Sequence, residues 1–203
     1  MRKVDPEKHA ARRQAILAAA RACFVRRGFH GTSTADICAL AGMSPGNLFH
    51  YFADKRAMIV AIVEQETGET ASYFDALMQR ADLYAALLAF MDEVLALAAD
   101  PDYSALALEI SAEAMRDPEV AARVSHNDAV LREALRTLLV EAAARGQMDA
   151  TLDMRATARW LVALIDGVFN RVAVEPGFAP KRQRKSLHQL LARLLKPATG
   201  APL

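Results

Sequence analysis

Cysteine is nearly absent from this chain: Cys23 and Cys38 are the two among 203 residues. They are too few and too isolated for a disulfide scaffold or a CxxC metal site, and they fit a reducing compartment. Glycine and proline are also scarce, at nine and eight, which excludes collagen-like and low-complexity chains. Period-two runs of Val, Ile, Thr and aromatics are missing, so no sheet is expected. Apolar runs such as Leu161 to Ile165 fall far short of the roughly 18 consecutive apolar residues that a membrane-spanning helix needs. The N-terminal Met1-Arg2-Lys3-Val4-Asp5-Pro6-Glu7 has no apolar stretch before charges resume, which argues against export and for the cytoplasm. No Ser-His-Asp set, paired carboxylates or phosphate loop stands out, and His9, His30 and His50 never fall at metal spacing with either cysteine. No enzyme, metal or cofactor is expected.

What the chain does have is apolar residues at helical spacing almost everywhere, with 53% hydrophobic and 24% charged residues. No proline lies between Pro45 and Pro101, and Gly68 is the one glycine between Gly46 and Gly146, so long helices follow. The reading is all-α. A first helix spans about 7–27 and ends at Gly28; a second follows Ser33, whose hydroxyl caps it with Asp36 at the third helical position, and runs to Ala41. A third has Ser44 as cap and Pro45 at its first position and ends near Phe52; a fourth is opened by Asp54. Further helices are expected at 82–99, 101–115, 118–144, 153–174 and 181–195.

The formal net charge is +1, but it is unevenly spread. Residues 1–55 carry nine Lys/Arg against four acids, and 56–203 carry sixteen against twenty. A basic module on an acidic body is what phosphate neutralisation requires, since it needs local positive charge. The run from Thr32 to Phe52 places two short helices around a turn at Gly42, with Ile37, Ala41, Leu48 and Phe52 facing Ile16, Ala20 and Phe24. That is helix-turn-helix geometry, and its second helix leaves Pro45, Gly46, Asn47, Phe49, His50 and Tyr51 on or near the outer face, suited to a major groove.

Phe24 to Gly28, Thr32-Ser33, Ile37, Ala41-Gly42, Ser44, Gly46, Leu48, Tyr51-Phe52 and Lys55 together resemble the N-terminal domain of TetR-family transcriptional regulators. Phe49 stands where a Tyr is common and Pro45 where a polar side chain is common, while Cys38 and Met43 replace the usual Ala and Val. The resemblance implies a three-helix DNA-binding domain at 1–55 and a helical ligand-binding and dimerisation domain at 56–203. It also implies DNA contact by Thr34, Ser44, Pro45, Gly46, Asn47, Phe49, His50, Tyr51 and Lys55. Thr32, Thr34 and Ser44 are expected to bind phosphate at helix N-termini, and Lys55 to act as a point charge for the backbone. His50, Asn47 and the Gly46 backbone are expected at base edges, with Phe49 on a thymine methyl. Arg2, Lys3, Arg12 and Arg13 are candidates for further backbone or minor-groove contacts.

The body offers weaker signals. Phe74, Met78, Phe90, Met91, Tyr103, Met115, Trp160 and Phe169 are large apolar residues spread over several helices, suited to walls around a small apolar or amphipathic molecule. Asn127 and Asp128 interrupt the stripe Val120, Val124, Leu131, Leu135, Leu138, so a polar group points towards the core and needs a partner: protein, water or ligand. Glu109 and Glu113 share a face with Asp102 and Arg116, opposite Leu106, Ile110 and Ala114, and read as a solvated face. The helix at 153–174 is apolar on more than one side, which calls for a second partner surface. Trp160, Ala163, Leu164, Gly167 and Val168, with Leu187, Leu191 and Leu194 of the last helix, are expected to form a four-helix homodimer seam. The expected function is a ligand-responsive repressor released from a palindromic operator. The rival is a helical enzyme or carrier whose helix-turn-helix is only structural.

Overall fold

The computed structural model describes residues 5–196; Arg2 and Lys3, named above as DNA-contact candidates, lie outside the described residues. Among those described there are nine α-helices, one 3₁₀ turn and no strand. The helices are α1 (Pro6–Gly31), α2 (Thr34–Ala41), α3 (Pro45–Leu48), α4 (Lys55–Met78), α5 (Leu83–Ala98), α6 (Pro101–Ala114), α7 (Pro118–Ala144), α8 (Met154–Val174) and α9 (Arg184–Leu195), with the 3₁₀ turn at Pro180–Gln183 before α9.

Most of these helices begin on an aspartate. The carboxylates of Asp5, Asp54, Asp82, Asp100, Asp117 and Asp153 each accept a backbone N–H from the first turn that follows. An anionic acceptor at that end answers both the free N–H groups and the helix dipole. Pro6, Pro101 and Pro118 stand first in their helices, where a missing N–H leaves no gap. α2 instead carries a capping box: the Asp36 N–H donates to Ser33 Oγ at 3.1 Å, and the Ser33 N–H donates to Asp36 Oδ2 at 2.9 Å.

The third helix is shorter than the sequence suggests. α3 stops at Leu48, and residues 49–51 continue as a tight turn in which the Tyr51 N–H donates to the Leu48 carbonyl at 2.9 Å. A Pro-Gly start gives this segment little helical propensity, so side-chain burial rather than backbone preference holds it. Leu48 and Phe52, at 0% and 3% exposure, are the two anchors.

The chain divides into two compact units. One holds the residues up to Glu66 together with Ala105–Ser125; the other holds Thr67–Ser104 and the residues from His126 onward. In the first, Ile16, Ala20 and Phe24 pack with Ile37, Leu48, Met58 and Ile62, and Leu106, Ile110 and Val120 join the same core. Cys23 and Cys38 are both buried in it as free thiols, and burial pushes the Cys23 thiol up from its usual range. In the second unit, Leu77, Leu83, Leu87 and Met91 pack against Leu135, Leu138, Leu161, Leu191 and Leu195.

Candidate nucleic-acid interface

The first unit is organised around the junction of α1, α2 and α3. α1 breaks at Gly28, whose φ of 69° and ψ of 170° are open to glycine and costly for other residues. Thr32 ends the helix and is 2% exposed, its hydroxyl placed between the carbonyls of Gly28 at 2.8 Å and Cys23 at 3.0 Å. The expectation of a phosphate contact from Thr32 is therefore overturned: that hydroxyl closes the end of α1. Gly42, at φ 64° and ψ 45°, forms the left-handed end of α2 and turns the chain towards Ser44.

With Leu48 and Phe52 turned inward, the outer side of this segment carries Ser44, Pro45, Gly46, Asn47, Phe49 and His50, all exposed. Ser44 Oγ caps α3 by accepting the Asn47 N–H at 3.4 Å. Phe49 is 50% exposed, unusual for an aromatic with a core at hand, and matches an apolar contact surface rather than packing. Tyr51 is half-buried, with its ring 4.7 Å from that of His9 on α1. Arg13 lies 5.1 Å over the Phe52 ring, which holds one basic side chain close to the same segment. Thr34 is half-buried at the start of α2. Arg12 and Arg26 are exposed and make no ion pair among the described residues, whereas Arg27 is tied to Asp36 at 2.6 Å.

Lys55 is placed differently from the expectation. Its ammonium donates to the Thr32 carbonyl at 2.7 Å and to the Phe29 carbonyl, and it sits 4.4 Å from the centroid of the Phe29 ring. Burial lowers its pKa, an effect that Glu113 partly offsets. The charge serves the C-terminal end of α1, where carbonyls lack intrahelical partners.

Sequence reasoning missed the acids that complete this junction. Glu109 accepts the Phe29 N–H, and Glu113, 5% exposed, accepts from His30 Nε2 at 2.8 Å. The solvated-face reading of these two glutamates is thus corrected: they fasten α6 to the end of α1. Arg56 adds a contact to Asp117 at 2.6 Å, and Arg123 one to Glu64 at 3.4 Å. No local pattern announces bonds that span 80 residues. The one available hint was two carboxylates four apart in a helix otherwise rich in Ala and Leu.

In the second unit, the body residues divide by where they face. Trp160, at 73% exposure, lines a groove of about 610 Å³ with Ala163, Leu164 and Leu194. Leu190, 51% exposed, lines it too. Gly167 is half-exposed, with open space where a Cβ would stand. Val168, Leu187 and Leu191 are instead buried in the unit's own core, which removes them from the expected seam. Among the expected ligand residues, Phe74 and Met78 border a cleft of about 440 Å³ with His126, Val130 and Thr137. Phe90 packs 4.9 Å from Phe74, and Tyr103 lies 6.0 Å from Phe169. Met91 is fully buried core. Trp160 is too exposed for an enclosed ligand wall, and Met115, 89% exposed, belongs to the first unit; both leave the ligand set. Asn127 Oδ1 and Ser104 Oγ are buried without a hydrogen-bond partner among the described residues.

Among the described residues no helix is long and apolar enough to cross a membrane, and none of them form a group of three His, Cys, Asp or Glu placed to hold a metal ion. Residues 16–62 match the profile of the bacterial regulatory proteins of the tetR family, and residues 73–196 match that of the BetI-type transcriptional repressor C-terminal domain. The chain is 30% identical over 164 residues to the HTH-type transcriptional regulator UidR of Escherichia coli strain K12, an alignment covering 80% of this chain and 82% of that one. Its fold is similar to Salmonella enterica GusR, with a TM-score of 0.77, 30% identity and coverage of 91% and 95% of the two chains. It is also similar in fold to the regulator FadR of Bacillus subtilis, solved in complex with stearoyl-CoA, with a TM-score of 0.75, 20% identity and coverage of 88% and 96%. The outward-facing turn after Ser44, the capped helices that support it and these matches together place the chain in the TetR family of DNA-binding transcriptional regulators.

Proposed function

We propose that this regulator is a homodimeric, cytoplasmic repressor that binds a palindromic operator and is released by a small effector. The observation that carries the reading is the outward display of Asn47, Phe49 and His50 on a segment whose other side is fixed by Leu48 and Phe52. Asn47 and His50 supply side chains able to read base edges, Gly46 lets the backbone come close, and Phe49 suits a thymine methyl. Ser44, at the cap of α3, and Thr34, at the start of α2, are placed for phosphate. The BetI-type repressor match over 73–196 supports repression.

Homodimerisation is supported by the apolar groove of α8 and α9. Trp160, Leu190 and Leu194 are 73%, 51% and 42% exposed, a cost in water that a second copy relieves. A twofold dimer presents two recognition segments, and a palindrome mirrors that symmetry.

The effector is assigned to the second unit. Asn127 Oδ1 is a buried acceptor lacking a donor, so an apolar or amphipathic molecule carrying one hydrogen-bond donor would satisfy it. Phe74 and Met78 border the cleft of about 440 Å³, with Phe90 packed on Phe74, and offer apolar walls of which the Met is the adaptable one. Release requires that the effector favour the conformer with low operator affinity, since equal affinity for both conformers shifts nothing.

The test is selection of duplex DNA from a random pool with the full-length protein. A palindromic consensus, bound steeply less tightly as salt rises, is expected. Recovery of no consensus, with shallow salt dependence, would favour a carrier and end the reading. A molecule that raises the melting temperature should weaken operator binding by about 5- to 150-fold, and operator should weaken its binding by the same factor.

A further inference from the structure

The 3₁₀ turn, α9 and the residue after it hold a charge imbalance outside the proposed DNA-reading segment. Of the sixteen Lys/Arg beyond residue 55, six fall between Lys181 and Lys196, with no acid among them. Amphipathic patterning alone does not explain this, because the rest of the body is rich in acids with which such cations usually pair.

The second unit gathers these charges around a groove of about 640 Å³. Its floor is apolar, made by Tyr84 and Leu88 of α5 and Ala192 of α9. Its rim is cationic. Asp92 is the carboxylate that answers it, and that group is already spent: Arg184 Nε lies 3.0 Å from both Asp92 oxygens, and His188 Nε2 lies 2.8 Å from Oδ1. Lys181, Arg182 and Lys185 also line the groove, exposed and without an ion pair among the described residues. The Lys196 ammonium lies 4.2 Å over the Tyr84 ring, adding a further positive charge just past the end of α9. Three uncompensated cations within five residues repel one another, and a multiply charged anion would relieve that repulsion.

We propose that this groove binds a small polyanion of the phosphate-ester class. Arg182 offers a planar fork for two phosphoryl oxygens, while Lys181 and Lys185 act as point charges beside it. A monocarboxylate would leave two of the three cations unmatched, so the ligand carries at least two negative charges. Leu88 and Ala192 take the organic part of the ester. The site is distinct from the cleft at Phe74 and Met78, and it stands independently of the operator reading.

The probes are ADP and inorganic pyrophosphate, titrated calorimetrically into the full-length protein at near-physiological salt. Saturable ADP binding is expected, tighter than pyrophosphate because ADP also covers the apolar floor. The double variant Arg182→Glu, Lys185→Glu should weaken it by at least about tenfold, from loss of charge-assisted bonds, with melting temperature and DNA binding unchanged. Arg155→Glu with Arg159→Glu, two exposed arginines of α8 outside the groove, should leave ADP affinity as it was. No saturable heat up to about 5 mM ADP, a range that covers even weak sites, would overturn the proposal. So would an equal loss in the α8 variant, which would mean general charge attraction, or ADP binding no tighter than pyrophosphate.

Discussion

In the first unit the polar groups around the end of α1 answer one another: the Thr32 hydroxyl meets carbonyls of α1, the Lys55 ammonium meets two more carbonyls, and Glu109 and Glu113 receive donors from Phe29 and His30. In the second unit Asn127 Oδ1 and Ser104 Oγ have no hydrogen-bond partner among the described residues, and Trp160, Leu190 and Leu194 stand in solvent. If α3 reads DNA as proposed, so short a segment needs rigid support, because misplacing base-contacting groups by about 1 Å loses their geometry. The body proposed to take an effector and a second copy keeps unmet needs, since those are what a ligand or a partner subunit can satisfy. The contrast teaches where to look in each unit: the polar groups at the end of α1 are matched, whereas the second unit, closed elsewhere as at Thr157 and Asp92, leaves two buried oxygens and an apolar groove open.

The strongest way to break the comparison is to fill the open face of the body. Trp160→Arg with Leu194→Arg places unpaired charge in the proposed seam and should give monomers by sedimentation. Operator affinity should then fall by about two orders of magnitude or more, because the second half-site is no longer linked to the first. A double variant that sediments as a dimer removes this groove from the interface.

Opening the closed unit should have the next largest effect. Lys55→Ala leaves the Phe29 and Thr32 carbonyls without their charged donor and should cost about 2 kcal/mol of stability. The slope of operator affinity against salt should stay unchanged. A slope lowered by about one unit would show instead that Lys55 neutralises a phosphate.

At the DNA face, His50→Ala should change sequence preference in a selected site library, by roughly 1 to 3 kcal/mol at particular base positions, with little change in melting temperature. An unaltered consensus at full affinity would move base reading to other residues.

The smallest effect concerns the cap of α2. The Asp36 carboxyl is held below its ordinary range, first by the Ser33 hydroxyl, then by the Ser33 N–H and Arg27. Its stabilising contribution is complete above the usual aspartate pKa of about 3.9 and fades as pH falls through the lower folded value. Asp36→Asn should flatten the acid side of the stability profile in that window, measured by helical circular dichroism.

Much of the architecture was legible because its signals are local. Asp-Pro pairs, the Ser33–Asp36 box and Ser44-Pro45 each act within one helical turn, and the observed starts follow them closely. The side chains that were misread act over long separations or depend on helix phase. Periodicity finds that α8 has two apolar sides, but Val168 and Leu164 lie close in phase, and phase alone does not separate the one buried in the unit's core from the one that lines the groove. Thr32 and Lys55 look like phosphate ligands in the sequence because their partners, backbone carbonyls in and just after α1, have no residue-type signature. Glu109 and Glu113 were assigned to solvent because the helix end they seal lies some 80 residues earlier in the chain.

Gly28 carries that sealing to a point where two demands meet. Its φ is positive, and a Cβ there would stand 3.0 Å from the Glu109 carboxylate oxygen. Gly31, three residues on, has ordinary room, its nearest neighbour being the Arg27 Cβ at 3.6 Å. In a library carrying every amino acid at both positions and sorted for repression, residue 28 should come back as glycine alone while residue 31 comes back mixed. Second-site changes that shorten residue 109 should widen the choice at 28 only in part, since they relieve the crowding and leave the backbone angle as it was.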